Sequence, residues 1–286
     1  MSTAILCKNC QRMPAFFLRP YSGEYLCKHC LRRGVLKQIR KTLSYYPIVK
    51  RGEEVLYLIR LDRPAESIVF MDIFKYFIKR LNLKVHIFIP EELKSAIDTV
   101  LINMYGDNVF ATVNYVPVME FKPTCFAELV KVHEVLALAL SRELGCTTVL
   151  SPIFREELVF LALLGLTYAS RSIFGDAFPV KQLGSSRVSR PTYLVSLFDI
   201  VALTYSNRRI LQLFDEANTS TFFNPVELSL LKTLYEVTRF SKELIYASRK
   251  SIELIQSMFI PHQSRCKLCL SFTDQGDVCE ICNRLF

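Results

Sequence analysis

Eight of the chain's ten cysteines fall into four Cys-x2-Cys pairs, two near each end: Cys7, Cys10, Cys27 and Cys30, then Cys266, Cys269, Cys279 and Cys282. Two intervening residues let the backbone turn and aim both thiolates at one ion about 2.3 Å away. Sixteen residues separate the pairs in the first set and nine in the second. Either span is enough for a short hairpin to return the second pair to the first. The expected chemistry is two structural zinc ions, one in a zinc ribbon at each terminus, with His29 and His262 close enough in sequence to replace one thiolate. Disulfides are the competing reading, but no signal peptide precedes Cys7 and Met1-Ser2-Thr3 reads as a cytosolic start, so a cytoplasmic location is expected. A redox Cys-x-x-Cys pair usually occurs singly at a helix start, not in complementary sets.

Those ribbons must be carried by something larger. At 286 residues with 51% hydrophobic content, the chain can bury a full core and still bear small appendages. Its longest apolar run, Leu158 to Ala169, is too short to cross a hydrocarbon layer that needs roughly twenty residues, and no membrane partner is expected. The formal charge of +9 suits a polyanion, and the basic residues crowd the start. If Leu31 to Tyr45 is helical, Arg33, Lys37, Arg40 and Lys41 line one side while Val35, Leu36, Ile39 and Leu43 can pack. Such a stripe can track RNA phosphates, and a solvated face with no ligand is the alternative.

After this arm, apolar strands alternate with amphipathic helices, the pattern of an α/β, doubly wound parallel sheet. Strands are predicted at Val55 to Ile59, Val85 to Ile89, Val109 to Val116 and Thr147 to Leu150. Helices are predicted at Ser67 to Leu81, Glu91 to Tyr105, Phe126 to Leu144 and Glu156 to Leu166. From Arg187 the pattern turns helical, with segments Leu194 to Thr204, Pro225 to Ser241 and Phe240 to Met258. The implied division is a ribbon over 1–34, a basic linker helix over 35–52, an α/β domain with a helical C-terminal part over 53–260, and a second ribbon over 261–286.

The order of these parts resembles the tRNA 2-thiolation family, whose members join an N-terminal zinc ribbon, a basic helix, a PP-loop adenylation domain and a C-terminal zinc ribbon. Two short segments add to the resemblance: Leu144-Gly145-Cys146-Thr147-Thr148, similar to the family's stretch after its long helix, and Arg187-Val188-Ser189-Arg190-Pro191, similar to its "R-I-x-P" segment. The resemblance implies a PP-loop, adenine nucleotide alpha hydrolase-like fold over essentially the whole chain.

The family's chemistry is less well matched. A PP-loop carries Ser-Gly-Gly-x-Asp-Ser after its first strand, so that backbone N–H groups approach nucleotide phosphates. Here that strand runs into Arg60-Leu61-Asp62-Arg63-Pro64-Ala65-Glu66-Ser67, without glycine, leaving Asp62, Glu66 and Ser67 as a degenerate nucleotide loop. The family's second loop falls at Ser151 to Glu157, where Glu156 and Glu157 open a helix and suit the positive end of its dipole. The family's catalytic cysteines serve an iron–sulfur cluster or sulfur relay. At their places stand Cys125, with Glu128 three residues on, and Thr221-Phe222-Phe223, so Cys125 and Cys146 are expected to pack in the core.

The resemblance is therefore nearest to the degenerate, non-catalytic subunit of the cytoplasmic thiouridylase complex. It implies a pseudoenzyme that binds tRNA and forms a heterodimer with a catalytic PP-loop paralogue, through which a ubiquitin-like sulfur carrier acts. On this reading the cofactors are the two zinc ions, with neither ATP nor an iron–sulfur cluster. Two alternatives stay open: a diverged but active 2-thiouridine synthase, and a zinc-ribbon scaffold without an RNA role. His86 in an apolar strand and His133 on the long helix read as structural histidines, and no hydrolase or zinc-protease motif is present.

Overall fold

The computed structural model describes residues 5–105, 111–121, 123–207, 210, 213, 223–240, 242–259, 264–274 and 276–285. His262, Thr221, Phe222, Ser241 and the start of the third predicted strand lie outside them. A small antiparallel ribbon comes first, with β1 (Phe17–Arg19) paired to β2 (Glu24–Leu26), followed by the helix α1 (Lys28–Tyr45). The α1 amphipathic reading holds: Val35 and Ile39 are buried, Leu36 and Leu43 pack at the core margin, and Arg33, Lys37, Arg40 and Lys41 are exposed.

The body is a six-stranded sheet with helices between its strands. In chain order it contains β3 (Glu54–Leu58), α2 (Pro64–Leu81), β4 (Lys84–Pro90), α3 (Lys94–Tyr105) and β5 (Ala111–Val116). Then come α4 (Phe126–Glu143), β6 (Thr148–Leu150), α5 (Arg155–Thr167), α6 (Arg171–Gly175), β7 (Val180–Leu183) and β8 (Ser186–Ser189). The helices α7 (Leu197–Tyr205), α8 (Pro225–Phe240), α9 (Lys242–Phe259) and α10 (Glu280–Leu285) complete it. The sheet order is β5-β4-β3-β6-β8-β7, parallel throughout except that β7 runs antiparallel to β8.

The predicted doubly wound α/β class is therefore observed, with two differences. The region from Arg187 does not turn wholly helical: β8 joins the sheet beside β6, and β7 forms its edge. Four-residue strands carry too little alternation to register as a period, whereas β8 paired to β6, and β7 to β8, extend the ladder. The helix α2 begins three residues before the predicted Ser67, because Pro64 takes a first-turn position where a missing N–H costs nothing. The apolar run in α5 is core, and among the described residues no helix is long and apolar enough to cross a membrane.

Strand succession runs outward from β3 to β5, returns to β6, and continues the other way through β8. The direction reverses between β3 and β6. In an open parallel sheet, the crevice beyond the carboxyl ends of the two strands flanking such a reversal is where ligands bind.

Candidate functional site: the strand-end crevice and the four-cysteine groups

The turn after β3 and the segment after β6 meet at that crevice, and an ion-pair cluster fills it. Arg60 is 1% exposed. Its Nε donates to Asp62 at 3.0 Å, and Nη1 donates to Glu157 at 2.6 Å and to the Pro152 carbonyl at 3.3 Å. Nη2 donates to Glu157 at 3.1 Å and also to Asp62. These five bonds equal the five N–H donors of a guanidinium. Arg63 Nε adds a 2.6 Å bond to Glu157, and its Nη1 lies 3.7 Å from Glu66. The Arg60 guanidinium also stands 5.6 Å from the centre of the Phe126 ring.

Two arginines thus face three carboxylates, Asp62, Glu66 and Glu157, and no cation is left over for a phosphate. Burial alone would raise Asp62, but the Arg60 guanidinium overrides it and holds the carboxyl below its usual range. Glu66 has no such close partner, and burial raises it. Three backbone donors of the turn are committed too. Arg60 N–H donates to Ser67 Oγ at 3.3 Å, Leu61 N–H to His133 Nε2 at 3.3 Å, and Ser67 N–H to the Arg63 carbonyl at 3.1 Å. Pro64 has none to give. His133 is accordingly a buried acceptor, and desolvation lowers it to about 4. The sequence places Arg60, Asp62, Glu66 and Ser67 at this turn, but only the structure brings His133 and Glu157 to them.

Glu157 and Glu156 do open α5, as expected, and both have further work. Glu157 accepts from the Phe154 N–H at 2.9 Å, satisfying a free donor at the start of its own helix. Glu156 accepts from Ser196 Oγ at 2.9 Å and Leu197 N–H at 2.7 Å, which fastens the start of α7 to that of α5.

Cys146 is buried as expected, and burial raises its thiol to about 11. Cys125 departs from expectation. It is half-buried on the wall of a cavity of about 650 Å³ between α4 and the C-terminal ribbon. Burial, then the neighbouring carboxylates of Glu227 and Glu128, raise it to about 11. A thiol so placed stays protonated near neutrality and is a weak nucleophile. Glu227 occupies the start of α4, accepting from the Phe126 N–H at 2.9 Å and the Ala127 N–H at 3.4 Å. The Phe223 ring stacks nearly parallel to that of Phe126, with ring centres 5.3 Å apart.

The eight terminal cysteines converge as their spacing predicts. In each set the four sulfurs lie within 4.8 Å of one another, with Cys10 and Cys27 Sγ 3.8 Å apart and Cys269 and Cys279 Sγ 3.7 Å apart. Among the described residues each group consists of cysteines alone. His29 is exposed on the first turn of α1 and takes no part, while His86 pairs with Glu54 at 2.9 Å.

Both ribbons are fastened to the body. Arg19 on β1 makes a bidentate pair with the buried Asp199 of α7, at 3.0 and 2.9 Å, and Tyr21 donates to the same carboxylate at 3.0 Å. At the other end, Asp274 accepts from the Arg171 and Ser172 N–H groups at 2.7 and 3.1 Å. The Phe272 ring there crowds Gly175 so closely that a Cβ would fall 2.2 Å from it.

No family model matches the chain. No curated protein matches it either. Among solved structures it is similar to the U34-tRNA thiolase NcsA from Methanococcus maripaludis, determined with its [4Fe-4S] cluster. The TM-score is 0.68 at 15% identity, covering 99% of this chain and 96% of that one. A likeness at that identity establishes the fold, and it confirms the predicted class.

It also corrects the cofactor expectation of two zinc ions and no iron–sulfur cluster. The similar structure is a thiolase that carries such a cluster, and this chain has two four-cysteine groups able to hold one. Four thiolates suit zinc and iron–sulfur centres alike, so spacing alone does not choose between them.

Proposed function

We propose that this protein is a non-catalytic, tRNA-binding subunit of a tRNA uridine 2-thiolation complex, pairing with a PP-loop paralogue that performs the chemistry. The likeness to a solved U34-tRNA thiolase supports the thiolation setting. The non-catalytic part rests on one observation: the Arg60 guanidinium, bonded on every donor to Asp62, Glu157 and Pro152, occupies the crevice at the sheet's reversal point. A buried pair of this quality resists opening, because separating it strands a charge in low dielectric. The high thiol pKa of Cys125 supports the same reading.

The tRNA part rests on α1. Arg33, Lys37 and Arg40 are exposed and have no carboxylate partner among the described residues, and Lys41 lies 5.5 Å from the Tyr45 ring. The opposite side of the helix is buried in the body, so the cations are presented on a fixed frame.

Reconstitution tests the proposal. The chain alone, given tRNA, ATP and a sulfur donor, is expected to form no 2-thiouridine, and to raise the yield when added to a paralogue bearing Ser-Gly-Gly-x-Asp-Ser. Thiolation by the isolated chain would replace this reading with the active-synthase one.

A further inference from the structure

A second basic feature lies at the opposite end of the strands from the filled crevice. The amino ends of β3, β6 and β8, with the turn joining β7 to β8, border an open cavity of about 460 Å³. Lys50, Arg51, Glu53, Thr147, Ser185 and Arg187 are among its lining residues. Lys50 and Arg51 are exposed and have no carboxylate partner among the described residues.

The carboxylate in this cavity is saturated. Glu53 accepts from Arg187 Nη2 at 2.7 and 2.8 Å, from Thr147 and Thr148 Oγ1 at 2.9 and 2.6 Å, and from the Lys50 N–H at 2.7 Å. Burial would raise it, but these donors hold it below the usual carboxylate range, so it stays ionised as the fixed anchor of Arg187. Three cations against one carboxylate leave the cavity with a charge of +2. An excess of positive charge on exposed side chains without carboxylate partners suits an anionic ligand, to which charge-assisted hydrogen bonds are the strong ones.

We propose that this cavity is a phosphate-binding site that seats a backbone phosphate of RNA, with Lys50 and Arg51 neutralising the charge and Arg187 forming the floor. The choice of RNA rests on the tRNA reading above. The α1 cations precede this cavity in the chain, and the helix is about 27 Å long at 1.5 Å per residue. A strand held along α1 and at its foot would contact the protein at several phosphates without entering the filled crevice. The volume leaves room for the sugar beside the phosphate.

The test compares tRNA binding to the full chain across a salt series for the wild type, for K50Q/R51Q, and for R33Q/K37Q/R40Q/K41Q, with a parallel titration of inorganic phosphate. Both altered sets are exposed, so the melting temperature should not move. K50Q/R51Q is expected to weaken tRNA binding about tenfold at low salt and to make the log–log salt slope shallower by about 0.8, since each neutralised phosphate contributes about 0.7 to 0.9. Unchanged affinity and slope in K50Q/R51Q, with weakened binding in the α1 variant, would overturn this site alone. Unchanged binding in both variants, or none in the wild type, would overturn the tRNA reading with it. Inorganic phosphate bound by the wild type and lost in K50Q/R51Q, with tRNA binding unaffected, would reassign the cavity to a free phosphate and overturn the RNA assignment.

Discussion

Arg60 and Glu157, ninety-seven residues apart in the chain, meet at 2.6 Å beyond the carboxyl ends of β3 and β6. The pair joins the two halves of the sheet at the point where strand succession reverses. It is also the reason the crevice holds side chains in place of open space, since Arg63 and Asp62 complete the same cluster.

Glu157→Gln removes the charge that both Arg60 and Arg63 face. The expected cost is about 3 kcal/mol, because the buried Arg60 keeps only Asp62 as a charged partner and Arg63 loses its short ion pair. Urea denaturation measures it. A loss below about 1 kcal/mol would mean that water or a rearranged Asp62 and Glu66 satisfy the arginines, and that the cluster does not hold the crevice shut.

Stability should depend on His133 in mild acid. Its pKa is lowered from 6.5 to about 4 by burial, so below pH 6.5 the unfolded chain takes up a proton that the folded chain refuses. Stability is therefore lost as pH falls from 6.5 toward 4, by at most about 3 kcal/mol from this group. His133→Gln keeps an acceptor for the Leu61 N–H without titrating. Its stability profile should be flatter across that window, and superimposable profiles would remove the assignment.

Neutralising the α1 stripe tests a surface instead of the core. R33Q/K37Q/R40Q/K41Q should make the salt slope of tRNA binding shallower by about 3 and leave the melting temperature within about 2 °C, since all four side chains are exposed. A steep slope retained in this variant would place the RNA surface elsewhere.

Metal removal should act on both ends and leave the sheet. Each four-cysteine group draws a ribbon together, and binding energy at such sites is folding energy. A chelator is expected to expose the ribbons to proteolysis before the body, and metal analysis with visible absorption identifies zinc or iron. Chelation without change at either end would show that the cysteine groups do not hold metal.

Replacing Arg19 by Met tests how the first ribbon is anchored. Asp199 would stay buried with only Tyr21 as a side-chain partner, and the expected loss is about 3 kcal/mol with earlier cleavage within residues 5–27. An unchanged cleavage pattern would mean that packing, not this ion pair, seats the ribbon.

The sequence by itself determined the parts whose signal is local. Two-residue spacing fixed the cysteine groups, the 3.6-residue period fixed the buried and exposed sides of α1, and alternation of strands and helices fixed the sheet class. The absence of glycine between Arg60 and Ser67 was equally plain. Tertiary structure alone decided what replaced the lost loop. Arg60 finds Glu157, Leu61 finds His133 and Arg19 finds Asp199 across separations of 97, 72 and 180 residues, and no local pattern carries such pairs. The same holds for β8, a strand because β6 offers it a ladder, for β7, which pairs in turn with β8, and for Cys125, which lines a cavity because the C-terminal ribbon forms its other wall. Local propensity is written in neighbours along the chain, whereas burial of charge is settled by which neighbours the fold delivers.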